Sequence, residues 1–326
     1  MARKRLSKKE KDVFLSIVIP SYNSKAWLPR CLESIRKQVQ RPDVEVIVVD
    51  SSAEDPTPFL RKNFSFVRTY HLDERAYPGT ARTYGISKAK GKVIAFIDTD
   101  CEASETWISN IIELQKNGKN VAGGPVANGT PRSFVGTAEY LLEFSELVPA
   151  MPEGKVRFIP TCNISFKRAV FDKIGKIEDT IKGSDALFCR KLNLLGETIY
   201  FHHGITVKHH NRTSVRKVLK NQYDIGYGGA QVRTMEDQVG GVLVKVPALI
   251  PLIPFARTLL IAHRFFKHDK GLFLQFWGLY PLIFPGLIAY TVGFWKGLKA
   301  VKNRRAGGTP ATEKPAEGQT AKSPED

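Results

Sequence analysis

Asp98 and Asp100 flank Thr99 at the end of an apolar segment, KVIAFID, which spans residues 92–98. In an extended chain, side chains two positions apart point to the same side, so both carboxylates can approach one cation. Mg²⁺ or Mn²⁺ prefers such oxygen ligands, and diphosphate oxygens can complete the coordination. A cation held there would neutralise charge on a departing diphosphate. This spacing therefore predicts a divalent-metal site for a ligand that contains a diphosphate.

An Asp-x-Asp pattern also occurs by chance, so its weight depends on what accompanies it. Asp50 closes a second apolar segment, VEVIVVD, at residues 44–50. A carboxylate at that position can accept a hydrogen bond from a nucleobase N–H or a ribose hydroxyl. The alternative is a turn residue that caps the loop 51–56. Two acidic strand ends in one sheet make a ligand site a stronger prediction than either pattern does alone.

Three further side chains could take part in chemistry, and each has a structural alternative. Arg82, in the segment GTARTYG, could reach a phosphate or pair with a carboxylate. Asp185 opens a helical pattern and is either a helix cap or the base that deprotonates an acceptor hydroxyl. His209 follows a short apolar segment and is either a further metal ligand or, with His210, a structural pair.

The elements that must position these side chains can be predicted from the apolar pattern. Strands that alternate with helices imply a Rossmann-like α/β domain with a mainly parallel sheet between helices. Ligands of such sheets bind beyond the carboxyl ends of the strands, and the less regular part of the chain up to residue 240 is expected to cover that crevice. The predicted strands are 15–20, 44–50, 66–70, 92–98, 162–166, 197–201 and 205–208, and the predicted helices are 24–38, 80–89, 134–146, 168–174, 184–195 and 213–234.

The order of these motifs resembles that of inverting glycosyltransferases of family 2, which have the type A nucleotide-sugar fold. The resemblance covers about residues 13–235, and its first four motifs are the most specific. The matching segments are IVIPSYN at 17–23, EVIVVDSS at 45–52, GTARTYGI at 79–86, GKVIAFIDTDC at 91–101, CNISFKRAVFDKIG at 162–175, GSDALFCRKL at 183–192 and VKHH at 207–210.

The resemblance implies a divalent metal, Mn²⁺ or Mg²⁺, and a role for each candidate residue. The chain departs from the family pattern at two places. Ser184 stands where members often have Glu, and Asp50-Ser51-Ser52 stands where D-D-G-S is common. A uridine nucleotide is the default expectation for the donor. The chain has no clear Q-x-x-R-W motif of processive synthases, which favours transfer of a single sugar. By resemblance, Pro20, Tyr22 and Asp50 line the nucleoside pocket, Arg82 supports the nucleotide, Asp98 and Asp100 bracket the diphosphate and the metal, Asp185 is the general base, and His209 lies where many members carry a histidine after the last strand.

The C-terminal part of the chain is apolar enough to interact with a membrane. Residues 271–295 contain no charged residue and exceed the roughly 20 apolar residues of a span, although Pro281 and Pro285 interrupt them. Residues 246–263 form another apolar stretch. Interfacial or re-entrant helices would keep every basic cluster on the cytoplasmic side. The alternative is a buried helical subdomain of a soluble protein.

The composition indicates an anionic partner. The net charge of +17 suggests nucleic acid, anionic lipid or a phosphorylated substrate, and basic ends around an apolar region favour a membrane surface over nucleic acid. The four cysteines have no C-x-x-C spacing and no zinc-type histidine pattern. They are expected to be buried thiols in a reducing compartment.

We therefore expect a basic arm at 1–12, a glycosyltransferase domain at 13–240, membrane-associated helices at 241–300 and a disordered tail at 301–326. The predicted enzyme takes a nucleotide diphosphate-sugar donor and acts at the cytoplasmic face of the cell membrane, on a lipid-linked or envelope-glycan acceptor. A nucleotidyltransferase would need a Gly- and Lys/Arg-rich triphosphate loop, which SYNSKAW does not provide. A non-catalytic nucleotide-sugar-binding scaffold stays an alternative because Ser184 replaces the Glu of the family.

Overall fold

The computed structural model describes residues 12–178, 182–235 and 241–305, so the arm before residue 12 and the tail after residue 305 lie outside the described residues. The strands are β1 (Leu15–Ser21), β2 (Val44–Asp50), β3 (Val67–His71), β4 (Val93–Ile97), β5 (Cys101–Ala103), β6 (Val121–Gly123), β7 (Val126–Asn128), β8 (Gly154–Val156), β9 (Asn163–Lys167), β10 (Ile199–Phe201) and β11 (Val207–His209). The helices are α1 (Leu28–Arg36), α2 (Thr57–Asn63), α3 (Pro78–Lys88), α4 (Trp107–Lys116), α5 (Phe134–Glu143), α6 (Arg168–Ile174), α7 (Ser184–Leu194), α8 (Val215–Met235), α9 (Val242–Lys245), α10 (Ile253–His268), α11 (Lys270–Gly278) and α12 (Tyr280–Arg305), with a 3₁₀ helix at Pro247–Leu252.

The main sheet has eight strands in the order β3-β2-β1-β4-β9-β6-β10-β8. β3, β2, β1 and β4 pair in parallel, whereas β9 and β8 run antiparallel to their neighbours. Along β1, β2 and β4, successive side chains are buried, as a sheet covered on both faces requires. The predicted α/β fold with a mainly parallel sheet is confirmed, and antiparallel strands extend it in the second half of the chain.

Helix α3 packs closely on the sheet and carries Arg82. A Cβ at Gly85 would lie 2.3 Å from Val18 Cγ1 and 3.2 Å from Val49 Cγ2, so only a glycine fits at this distance from β1 and β2. Residues three apart share one face of a helix, and Arg82 is accordingly buried, with 3% of its surface exposed. The close approach of α3 therefore places the guanidinium of Arg82 at the sheet.

A small second sheet, β5-β11-β7, includes the strand that follows Asp100. Its central strand, β11, is antiparallel to β5 and parallel to β7, and it pairs His209 with Cys101. Apolar segments at 197–201 and 205–208 predict β10 and β11, but the sequence does not predict the equally short β5, β6, β7 and β8, in which three residues alone do not show the alternation of a strand. The sequence does not predict the helices α2 and α4 either. This sheet joins the Asp-x-Asp segment to the histidines near the end of the catalytic region.

The C-terminal helices share the hydrophobic core of the main sheet. Ile261, Phe265, Phe276 and Ile283 belong to the same buried cluster as the strands. The two regions on either side of residue 240 therefore share one hydrophobic core. The division into a catalytic domain and membrane-associated helices stays a prediction about what each region does.

Helix α12 packs along α8 through glycines. A Cβ at Gly293 would lie 2.0 Å from the Tyr223 carbonyl oxygen, and one at Gly226 would lie 2.0 Å from the Tyr290 carbonyl oxygen. Backbones can approach so closely only where side chains are missing. Since α8 follows β11 in the chain, α12 is attached to the part of the protein that carries His209.

The apolar stretch 271–295 is not one straight helix. α11 and the residues 280–303 of α12 meet at an angle of 80°, so together they form a broken span or a re-entrant element by length and composition. The break precedes Pro285, which lies inside α12. The segment Pro247–His268 is long and apolar enough to cross a membrane by itself, and 39% of its most apolar window is buried against the protein.

Candidate active site

The carboxyl end of β4 carries an ion pair between the buried Arg82 and the partly exposed Asp98. Arg82 Nη2 donates to Asp98 Oδ1 at 2.5 Å. Burial raises the pKa of Asp98, Arg82 lowers it, and the charge on Asp100 raises it. Of the two roles that the sequence predicts for Arg82, the structure shows the pair with a carboxylate. A contact between Arg82 and a phosphate stays a prediction.

Asp100 and His209 lie close together where β5 pairs with β11. His209 Nε2 is 3.6 Å from Asp100 Oδ2, and with Cys101 these residues form a group whose ligand atoms lie within 4.8 Å of one another. Cys101 is fully buried, and burial raises the pKa of its thiol well above its usual value. Sulfur is also a soft ligand, which Mn²⁺ and Mg²⁺ prefer less than oxygen. A carboxylate and an imidazole remain. This donor pair fits an oxygen-preferring divalent ion such as Mn²⁺, whose other positions diphosphate oxygens would fill.

The carboxylate of Asp100 holds little of the protein together. Among the described residues, its contacts are His209 Nε2 at 3.6 Å and Cys101 Sγ at 3.9 Å. The first exceeds the roughly 2.7–3.2 Å of an N–H···O hydrogen bond. Asp98 is paired with Arg82, whereas Asp100 is open toward the crevice. Metal binding by both carboxylates and by His209 stays a prediction, and this geometry is compatible with it.

The carboxyl end of β2 is a polar pocket around Asp50, which is 1% exposed. Asp50 Oδ2 accepts from Ser21 Oγ at 2.6 Å and from Ser52 Oγ at 2.9 Å. Asp50 Oδ1 accepts from the Ser52 N–H at 2.9 Å and lies 3.1 Å from His71 Nδ1. Protein groups thus occupy about four acceptor sites, which is the capacity of a carboxylate. Asp50 caps its loop as the structural alternative predicts, and its contact with a nucleoside stays a prediction.

An exposed aromatic ring and a cation lie beside the first two strands. Tyr22 is 40% exposed, and the Arg75 guanidinium lies 4.5 Å from the centroid of its ring. Pro20 is partly buried near the end of β1, in register with Val49. The sequence does not single out Arg75, which comes from the loop after β3. Tyr22 and Arg75 together offer a flat ring and a positive charge on the side predicted for the nucleoside.

Asp185 lies in the first turn of α7, where the sequence predicts a helix start. Gly183 precedes the helix with φ +100°, a left-handed conformation that favours glycine. Burial, Arg82 and Asp100 have the larger effects on the pKa of Asp98, and the charge on Asp185 also raises it. The charges of the two carboxylates thus influence one another, and a place for Asp185 beside the acceptor stays a prediction.

The tandem histidines have different partners. His209 Nδ1 lies 2.9 Å from Asn211 Oδ1, and both residues are buried. His210 Nε2 lies 2.5 Å from Glu102 Oε1, and its ring stacks on Trp27 with 4.8 Å between centroids. Asn211 is not among the residues that the sequence pattern singles out. The signal that could have indicated it is the run of polar residues, H-H-N-R, directly after a strand.

Glu139, fully buried in α5, anchors the chain after His209. Its Oε2 accepts from the Arg212 N–H at 2.5 Å, and its Oε1 accepts from Arg212 Nη1 at 3.0 Å and from Asn221 Nδ2 at 3.1 Å. Burial raises the pKa of Glu139, and Glu143 adds to that effect. No sequence pattern indicates this cluster, since the partners of Glu139 lie far away in the chain.

Residues 16–175 match the family described as glycosyl transferase family 2. This chain therefore contains a family 2 glycosyltransferase domain. It is 27% identical over 249 residues to glycosyltransferase AglE of Haloferax volcanii, which covers 74% of this chain and 81% of AglE. It is 33% identical over 106 residues to the UDP-Glc:alpha-D-GlcNAc-diphosphoundecaprenol beta-1,3-glucosyltransferase WfgD of Escherichia coli, which covers 32% of this chain and 40% of WfgD.

The mannosyltransferase PcManGT of Pyrobaculum calidifontis, solved with GDP-Man and Mn²⁺, has the same fold. It matches with a TM-score of 0.58 over 86% of each chain, at 14% sequence identity. The predicted resemblance to family 2 glycosyltransferases is thus confirmed, and the chain is a glycosyltransferase with the type A fold. Nothing supports the nucleotidyltransferase alternative, and the named relatives are enzymes, which argues against a non-catalytic scaffold.

Proposed function

We propose that this glycosyltransferase moves a single sugar from a nucleotide diphosphate-sugar to its acceptor, with inversion and with Mn²⁺ or Mg²⁺. The observation that supports the proposal is that Asp100, two residues after Asp98, lies beside His209, with atoms 3.6 Å apart. The charge on Asp185 also influences the pKa of Asp98. Such a transfer needs a site for the diphosphate and a base within reach of one another. We assign the diphosphate site to Asp98 and Asp100 after β4 and the base to Asp185 at the start of α7.

Each residue of the crevice has a separate task in this mechanism. Asp98, Asp100 and His209 would hold the cation, which stabilises charge on the leaving diphosphate when bound. Arg82 keeps Asp98 in place through their hydrogen bond. Asp185 accepts the proton of the acceptor hydroxyl as that oxygen attacks the anomeric carbon. Attack on the side opposite the diphosphate inverts the anomeric centre in one displacement.

The proposed donor is a UDP-sugar, and the proposed acceptor is a lipid-linked or envelope glycan. WfgD supports both, since its name specifies UDP-Glc as donor and a sugar on diphosphoundecaprenol as acceptor. A hydroxyl acceptor depends on Asp185 for deprotonation. A polyprenyl phosphate is already ionised and would depend on Asp185 much less.

A screen of donor hydrolysis across nucleotide-sugars, with and without Mn²⁺ or Mg²⁺, tests the proposal. We expect turnover of a UDP-sugar that a chelator abolishes and Mn²⁺ restores. Asp100→Ala should lose this metal-dependent turnover, whereas Glu105→Ala, at an exposed position just after β5, should keep it. Turnover that survives both the chelator and Asp100→Ala would contradict the cation site, and no turnover of any donor would contradict the transfer itself.

We further propose that α10, α11 and α12 dock on an anionic membrane surface at the cytoplasmic face. Lysines lie over aromatic rings on this side: Lys270 Nζ is 3.1 Å from the centroid of Phe266, and Lys299 Nζ is 3.7 Å from that of Trp295. Aromatic rings and lysines together are typical of a membrane interface. The exposed apolar side chains are Leu252, Phe255, Leu259, Leu260, Phe266, Leu274, Trp277, Ile288, Val292 and Trp295.

The buried faces of these helices favour an orientation in the membrane plane. Ile261 and Phe265 of α10 and Leu287 of α12 belong to the core of the catalytic sheet. A helix whose inner face packs on the protein and whose outer face is apolar can lie flat in the interface. The 80° bend between α11 and α12 also suits such a position, which keeps the basic clusters on one side.

Vesicle flotation of the full chain tests the membrane surface. We expect binding to vesicles of phosphatidylcholine with phosphatidylglycerol, weaker binding to phosphatidylcholine alone, and release at high salt. The double variant Trp277→Ser/Trp295→Ser should bind less. Phe59→Ser, at a half-exposed phenylalanine of α2 outside this surface, should bind like the wild type. If the chain floats with neither kind of vesicle, the proposed membrane surface is wrong. The proposed sugar transfer would not be affected.

A further inference from the structure

A backbone group fixes the orientation of the Asn128 amide next to the crevice. The Thr130 N–H donates to Asn128 Oδ1 at 2.9 Å, and Asn128 Nδ2 donates to Thr137 Oγ1 at 3.0 Å. A backbone N–H can only donate, so the atom of Asn128 that faces it must be the oxygen. That same oxygen also lies against the side chain of Asn211.

The Asn128 oxygen in turn fixes the Asn211 amide. One end of this amide lies 3.1 Å from Asn128 Oδ1 and 3.2 Å from the His209 carbonyl oxygen. Both oxygens can only accept, so this end of Asn211 must be Nδ2. Asn211 Oδ1 therefore points the other way, where it lies 2.9 Å from His209 Nδ1.

This chain of donors and acceptors determines where the proton of His209 lies. An amide oxygen has no proton to give, so His209 Nδ1 must be the donor. In a neutral imidazole, the lone pair is then on Nε2, which lies 3.6 Å from Asp100 Oδ2. We infer that Asn211 is a positioning residue that holds His209 as the Nδ1–H tautomer and directs Nε2 at the cation. The inference rests on the proposed metal-dependent transfer.

Packing around the pair prevents the ring and the amide from exchanging their roles. His209 is 8% exposed and Asn211 is 3% exposed, and the Phe144 ring lies 4.9 Å from the imidazole between centroids. A Cβ at Gly129 would lie 2.7 Å from the His209 carbonyl oxygen, so the backbones are also in close contact. If the Asn211 amide rotated by half a turn, its NH₂ group would face the Nδ1–H of His209 and its oxygen would face Asn128 Oδ1. Such pairs of two donors or two acceptors in a buried place cost free energy.

Manganese binding tests this inference without a need for turnover. Full-length chains are titrated with Mn²⁺ in the presence of UDP, and free Mn²⁺ is followed by electron paramagnetic resonance. Asn211→Leu should lower the Mn²⁺ affinity by about 10–100-fold, because that is the usual effect of losing the partner of a metal-binding histidine. Asn211→Asp keeps an acceptor for Nδ1 and should retain most of the affinity. Equal affinity of Asn211→Leu and the wild type would overturn the inference.

Asn221→Leu is the matched control for a purely structural effect. Asn221 is 4% exposed and bonds to Glu139, in the neighbouring cluster, so this variant should lose stability but bind Mn²⁺ like the wild type. If Asn211→Leu does not fold, ¹⁵N-histidine NMR of the metal-free wild type decides instead. A protonated Nε2 on His209 would overturn the inference. If the wild type binds no Mn²⁺, the proposed metal site itself is wrong. If the wild type binds Mn²⁺ and Asn211→Leu binds it equally well, only the inference about Asn211 is wrong.

Discussion

The carboxylates that follow β2 and β4 occupy similar places in the sequence, but they differ in their surroundings. Asp50 is buried and lies within hydrogen-bond distance of Ser21, Ser52 and His71. Asp100 is partly exposed, and His209 Nε2 lies 3.6 Å from its Oδ2. Protein groups already satisfy the first carboxylate, whereas the second remains available to a ligand. Internal hydrogen bonds therefore hold the carboxylate that we assign to the nucleoside side, whereas the carboxylate that we assign to the cation has few protein partners.

Asp100→Asn should give the largest effect and should separate activity from stability. Loss of a charged metal ligand should lower the transfer rate by at least about 10³-fold, since a bound cation stabilises the transition state by several kcal/mol. The melting temperature should stay near that of the wild type, because Asp100 holds little of the protein together. Steady-state transfer and a thermal melt measure the two effects. A variant that melts early would show that Asp100 is structural, like Asp50.

Asp185→Asn should lower transfer to a hydroxyl acceptor by about 10²–10⁴-fold, the range of general base catalysis. Donor binding, measured by calorimetry with a UDP-sugar, should stay close to that of the wild type, because Asp185 is assigned to the acceptor. If donor affinity and turnover fall together, Asp185 belongs to the donor side, and the division of roles in the crevice is wrong. An unchanged rate would point to an acceptor that is already ionised.

Asp50→Ala should show the opposite pattern from Asp100→Asn. Removal of the carboxylate leaves Ser21, Ser52 and His71 without their acceptor, which should lower the free energy of unfolding by about 2–4 kcal/mol. The transfer rate at saturating donor should fall much less than in Asp100→Asn. Urea denaturation gives the first quantity and a donor titration gives the second. A stable Asp50→Ala variant with no activity would show that Asp50 binds a ligand. The contrast between a structural Asp50 and a ligand-binding Asp100 would then be wrong.

Arg75→Ala should give the smallest effect, which is confined to donor binding. The cation over the exposed Tyr22 ring contributes about 0.5–1 kcal/mol at such a site, so the donor KM should rise about two- to fivefold with kcat unchanged. Lys119→Ala is the control, because Lys119 lies 4.1 Å from the Tyr200 ring, before β6 and away from the strand ends. An equal rise in KM for both variants would mean that Arg75 has no special place beside the nucleoside.

Elements with a clear apolar pattern could be predicted from the sequence, including the short strands β10 and β11, whereas the sequence does not predict the helices α2 and α4 or four short strands. β1, β2 and β4 have five to seven residues with a continuous apolar pattern, and α6 lies at Arg168–Ile174 as predicted. β5 and β7 have three residues each and exist because β11 pairs with them. Their hydrogen bonds, rather than a local preference, make them strands. The break between α11 and α12 falls at Leu279, close to Pro281, one of the prolines that interrupt the predicted apolar stretch.

The sequence alone determined that acidic side chains follow strands of a parallel sheet and therefore meet at one edge, since strand ends and alternation are local properties of the chain. Only the tertiary structure decided that Asp98 pairs with Arg82, that Asp100 stays open, and that Asn211 faces the ring of His209. The last arrangement depends on Asn128, which lies 83 positions before Asn211. Distances of a few tenths of an ångström between such remote groups follow from packing, and no local pattern contains them.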